Sequence, residues 1–184
     1  MPIDAGDNGI SLIELKTETI PYLIQTAFDS FSPTWQDATE ENLRSGFLQC
    51  VSIAKNILNN EIRKAKADIE AEKILSKIYA NAEDKRIIVL DRKYPYDQLQ
   101  YYPEPIFVVY PRLGGTWGVE GVAVKKFSFE KRKNLPKAWA GLRDDEMGKI
   151  SGVPDAIFCH RALFMAVARS KEGAIKLAQI AIES

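Results

Sequence analysis

Between Lys125 and Lys133 the chain gathers five cations, Lys125, Lys126, Lys131, Arg132 and Lys133, with Phe127 and Phe129 set among them. Basic side chains interleaved with rings suit a phosphate backbone whose bases stack on the aromatics. The same pattern also describes a solvated loop whose two phenylalanines anchor it to a sheet. Arg143 stands beside Asp144 and Asp145. Its planar fork can clamp a phosphate with two hydrogen bonds, or it can be tied to a neighbouring carboxylate and fix the loop. His160, the sole histidine, follows the apolar run Ala156–Cys159. An imidazole at the end of a buried strand is placed to touch a substrate, and is placed equally well to hold the strand end. No nucleophile elbow, zinc spacing, phosphate-cradling glycine loop or nucleotide fingerprint occurs.

The balance of 25 basic against 25 acidic residues leaves no net charge, so an anion site has to come from a local patch. A length of 184 residues suffices for one domain or two small ones with a proper core. Cys50 and Cys159 lie far apart in apolar surroundings and read as buried free thiols. No apolar run reaches the roughly 18 residues of a membrane span, and no charged-then-apolar leader opens the sequence. An intracellular, cytoplasmic setting without membrane contact is the default expectation.

The elements that must position these residues come in two blocks. Pro33 places a loop at 30–37, with Trp35 read as its apolar anchor, and Asp37 or Thr39 can cap the helix that follows. Phe47, Val51, Ala54, Leu58, Ile62, Ala65 and Ile69 recur at steps of four and three, and Ile74, Leu75 and Ile78 continue the stripe after a slip. This predicts helix over 43–79, unbroken or with a slight break, of about 55 Å. A helix this long bridges subdomains or pairs with another copy, so a homodimer is expected. The period then changes to 2. Strands are expected at 86–91, 106–110, 116–124, 156–160 and 163–167, with a Gly-Gly turn at 113–115, a short helix at 144–148 and a final helix at 170–180. Strands grouped together with helices before and after argue α+β, with a helical segment over 1–83 and a mostly antiparallel sheet of four or five strands over 84–184.

The ordered runs LPKAWAGLRDDEM, SGVPDAIFCH and SKEGAIKLA resemble the C-terminal half of the melanocyte-proliferating-gene family, whose members resemble DHH-type metal-dependent phosphoesterases. The opening Ile-Asp-Ala-Gly-Asp-Asn-Gly resembles the segment that closes that family's N-terminal catalytic half. Asp4 and Asp7 match its Asp-x-x-Asp pair, whose hard oxygens suit Mg²⁺ or Mn²⁺. The family's earlier metal motifs have no counterpart, so the resemblance implies Mn²⁺ or Mg²⁺ for full-length relatives and no cofactor for this chain alone. After the histidine the family carries a Ser-Gly-Phe-Ile-Gly-Gly-like segment, suited to close approach of a phosphate. Here that segment runs from Arg161 to Val167 without glycine. The resemblance implies a substrate-binding or assembly half of a 3′ to 5′ RNA exonuclease, inactive alone. Its expected partners are single-stranded RNA and a separate catalytic half, and Lys131, Arg132, Lys133, Arg143 and His160 are its expected phosphate contacts. A stand-alone, non-catalytic scaffold or dimerisation module is the alternative from a different class.

Overall fold

A computed structural model describes residues 22–125 and 128–184. The chain divides into two compact units, Met1–Ala65 and Lys66–Ser184. Helix α1 (Ile24–Asp29) lies in the first, and helix α2 (Glu40–Asn81), unbroken over 42 residues, begins in the first and ends in the second. Thr39 caps α2: its Oγ1 accepts from the Asn42 N–H at 3.1 Å, while Glu40 and Glu41 sit at the positive end of the helix dipole. Gly46 is needed because a Cβ there would overlap the carbonyl of Phe31. Trp35, expected as an anchor, is instead 88% exposed. Cys50 is half-buried, with its Sγ 3.6 Å from the Phe28 carbonyl, so only one of the two expected thiols is fully enclosed.

The second unit confirms the α+β class. Strands β1 (Ile87–Val89), β2 (Phe107–Pro111), β3 (Trp117–Gly121), β4 (Ala156–Cys159) and β5 (Met165–Ala168) form one sheet in the order β1-β2-β3-β5-β4. Among the described residues only β1 and β2 pair in parallel. The β2–β3 hairpin turns through Gly114 and Gly115 at φ 91° and 82°, a left-handed backbone that suits glycine.

Because side chains alternate across a strand, β2 divides between two cores. Phe107 and Val109 join Val119, Met147, Cys159 and Leu177 beneath helices α3 (Asp144–Ser151) and α4 (Lys171–Glu183). Val108 and Tyr110 join Ile88, Leu90, Leu99 and Leu75 on the opposite face. Leu75 comes from the last turns of α2, within the second unit. Burial pushes the Cys159 thiol up to about 11, leaving it protonated and inert at neutral pH.

The start of α4 is fixed by side chains. Ser170 Oγ accepts from Gly173 N–H at 2.9 Å, and the Asp155 carboxylate accepts from Ser170 N–H at 2.8 Å and from its hydroxyl at 2.5 Å. A Cβ at position 173 would overlap that carboxylate. Gly173→Ala, which in an exposed helix would stabilise, is therefore expected to cost about 2 kcal/mol here, read by urea denaturation, because Asp155 must leave the cap.

Candidate functional site

The β4–β5 turn places His160 at the end of a strand and clamps it there. Its N–H donates to the Met165 carbonyl at 2.9 Å, and its own carbonyl accepts from Leu163 N–H at 2.8 Å. Leu163 closes this turn at φ 61°, a left-handed backbone that costs a branched side chain about 1 kcal/mol. The turn thus keeps a glycine-like backbone in the segment where the resembled family carries glycines. His160 Nδ1 accepts from Ala162 N–H at 3.0 Å. That bond leaves Nε2 as the protonated nitrogen of the neutral ring, and among the described residues Nε2 has no partner.

Rings and cations alternate outward from His160. The Phe164 ring lies 4.3 Å from the imidazole, centroid to centroid, and Phe158 meets its edge at 6.3 Å. The Arg143 guanidinium sits over Phe158 at 5.0 Å, and Lys131 Nζ lies 5.9 Å from the Phe164 centroid. Arg143 is exposed, and among the described residues it pairs with no carboxylate. Its position follows from the sequence: as N-cap of α3 its extended backbone bridges to Phe158. Arg161, also exposed, lies against Gly141, whose φ of 76° bends the chain toward the same turn. Arg143, Phe158, His160 and Phe164 thus form one surface, the arginine exposed and the three rings half-buried, and the exposed Arg161 follows His160 directly in the chain. A base can stack on its rings, and its cations can meet the flanking phosphates.

The loop cations turn inward. Lys131 Nζ pairs with Glu120 at 2.9 Å, and both side chains are less than one fifth exposed. The same carboxylate accepts from Tyr96 OH at 2.7 Å and Tyr110 OH at 3.2 Å. Desolvation, and then the nearby Glu120 charge, push both phenols above their ordinary pKa, Tyr96 the further. Arg132 donates to the carbonyls of Gln100 (2.6 Å), Tyr102 (2.7 Å), Pro105 (2.9 Å) and Pro103 (3.3 Å). Lys133 Nζ donates to the carbonyls of Ile182 (2.7 Å) and Ser184 (2.9 Å), facing the negative end of α4. Gly121 lets this segment cross close to β3, since a Cβ there would stand 2.8 Å from the Lys133 carbonyl. Of the five residues read as phosphate contacts, the fold therefore leaves Arg143 exposed and His160 half-buried at the hairpin, and engages Lys131, Arg132 and Lys133 within. Phe129 is almost fully exposed, so it does not anchor the loop to the sheet, and Lys125 is exposed beside it.

Lys126 and Phe127 lie outside the described residues, as do Asp4 and Asp7. Among the described residues no three of His, Cys, Asp and Glu converge to hold a metal ion, so those residues do not fit a catalytic metal. Nor is any described helix long and apolar enough to cross a membrane. The sequence reading missed Phe158, Phe164 and Arg161. Their signal was aromatic residues on both arms of the His160 hairpin, which an apolar strand reading absorbed.

A five-stranded α+β sheet domain carrying an open aromatic and cationic surface at one hairpin is the class that this fold and site define. A family model, MYG1_exonuc, described as an uncharacterised protein family (UPF0160), matches residues 1–182, and the chain belongs to that family. It is 30% identical to the MYG1 exonuclease of Bos taurus over 96% of its own length and 50% of the relative's. It is 26% identical to the human MYG1 exonuclease, covering 96% and 51%, and 29% identical to a MYG1 protein of Saccharomyces cerevisiae, covering 98% and 60%. The chain thus spans about half the length of the mammalian relatives that it matches.

Proposed function

We propose that this chain is the substrate-side half of a MYG1-type exonuclease, holding single-stranded RNA on the His160 surface and contributing no hydrolytic centre of its own. The observation that carries this reading is the alternation of Arg143, Phe158, His160 and Phe164. Cations on rings beside an unpartnered imidazole N–H suit a stacked base and its phosphates. The names of the mammalian relatives, MYG1 exonucleases, agree with a nucleic-acid substrate. Mn²⁺ or Mg²⁺ would belong to a separate catalytic half. Lys131, ion-paired to Glu120, lies near the Phe164 ring, while Arg132 and Lys133 secure the surrounding loops.

Fluorescence anisotropy with a short single-stranded RNA at two salt concentrations tests this. Affinity should fall several-fold as salt rises, and Arg143→Ala with Arg161→Ala should weaken binding about tenfold and flatten the salt slope by about 1.4. Both arginines are exposed, so the melting temperature should hold. Supplied with manganese, the chain should leave the RNA uncut. Salt-independent affinity, or turnover that a chelator abolishes and that survives repurification, would contradict the proposal.

A further inference from the structure

Leu43, Phe47, Val51, Ala54, Leu58, Ile62, Ala65 and Ile69 line one face of α2 at steps of four, four and three, an eleven-residue period that keeps an apolar seam nearly straight along a helix. The face is open: Phe47 is 66% exposed, Leu58 60%, Ile62 45% and Ile69 57%. The two shoulders of this seam carry opposite charge. On one lie Lys55, Lys66 and Lys73, and on the other Glu61 and Asp68. All five side chains belong to exposed residues, and Glu61 also pairs with Lys64 of its own helix at 2.8 Å, a solvent-exposed ion pair that is worth little and leaves the carboxylate open to a second cation. In a parallel, in-register pair of helices, a residue on one shoulder faces the residue five positions later on the opposite shoulder of the second helix. Glu61 of one copy then faces Lys66 of the other, and Asp68 faces Lys73, each pair occurring twice by symmetry. Turning the second helix end for end would set lysine shoulder against lysine shoulder.

We infer that a second copy of this chain covers the α2 seam from Phe47 to Ile69, running parallel and in register. Beyond Ile69 the seam closes, because Ser76 is hydrogen-bonded to the Tyr102 hydroxyl at 2.8 Å. The pairing therefore extends over about 33 Å.

Sedimentation of the whole chain over a wide range of concentration should show a reversible monomer–dimer equilibrium. Leu58→Glu with Ile62→Glu, both exposed positions, should shift it to monomer with the sheet domain's melting unchanged. Glu61→Lys should raise the dissociation constant about tenfold, and adding Lys66→Glu to it should restore the original value. In a Cys50→Ser background, Ile69→Cys should cross-link on oxidation, since parallel helices bring the two sulfurs together across the seam. An antiparallel pair centred on Leu58 would set Ile69 against Phe47 of the other copy, and the two cysteines would stay apart. A single-chain mass at every concentration overturns the inference. So does a dimer that Ile69→Cys fails to cross-link.

Discussion

Replacing Glu120 by leucine is expected to destabilise the sheet domain by about 4 kcal/mol, the largest effect of any single substitution considered. The carboxylate is the counter-charge of a mostly enclosed Lys131 and the acceptor for Tyr96 and Tyr110. Its loss strands one cation and two hydroxyls in a place that water reaches poorly. A stability change under about 1 kcal/mol in urea would mean that these groups find other partners. Replacing Lys131 by methionine and both tyrosines by phenylalanine in the Glu120→Leu background should recover most of the loss, since no unpaired polar group then remains. The tyrosines also give the fold a pH dependence. Their pKa values are raised in the folded state, so the folded chain holds the phenolic protons longer than the unfolded one. The stability they contribute is therefore complete below the unfolded value of about 10 and declines as pH rises above it. Tyr96→Phe should flatten that alkaline decline.

Arg132→Met should cost about 3 kcal/mol. Four backbone carbonyls between Gln100 and Pro105 accept from one guanidinium, in a stretch where Pro103 and Pro105 bring no N–H of their own. Methionine keeps the bulk of the stem, so the measured loss isolates the hydrogen bonds. Lysine should restore less than half of it, because an ammonium cannot present the same flat fork of donors. Thermal unfolding with a transition unmoved by Arg132→Met would show that this loop is held by its own packing instead.

Much of the fold is legible in the sequence because its apolar periods are clean. Steps of four and three mark α2, and runs such as Ile106–Tyr110 mark strands buried on both faces. The Gly-Gly hairpin follows from the need for positive φ at two successive residues. Partner identity was not legible. Lys131, Arg132 and Lys133 advertise charge, yet Arg132 and Lys133 are satisfied by backbone carbonyls, which every residue carries and no sequence marks. Glu120 looked like the polar half of an alternating strand and is instead the acceptor at the centre of a network. Trp35 shows the opposite error: a large apolar ring in a loop suggests burial, and here it faces outward. Phe158 and Phe164 fit the apolar pattern of the hairpin, so nothing in the pattern said that both would turn toward His160.

The most direct measurement is residue-resolved. Isotope-labelled chain is titrated with a short single-stranded RNA while the resonances of Arg143, Phe158, His160, Arg161 and Phe164 are followed. Saturable shifts are expected at these five, with Nε2 of His160 remaining the protonated nitrogen and the α2 resonances still. Shifts confined to residues far from the β4–β5 turn, or none at all, would contradict it.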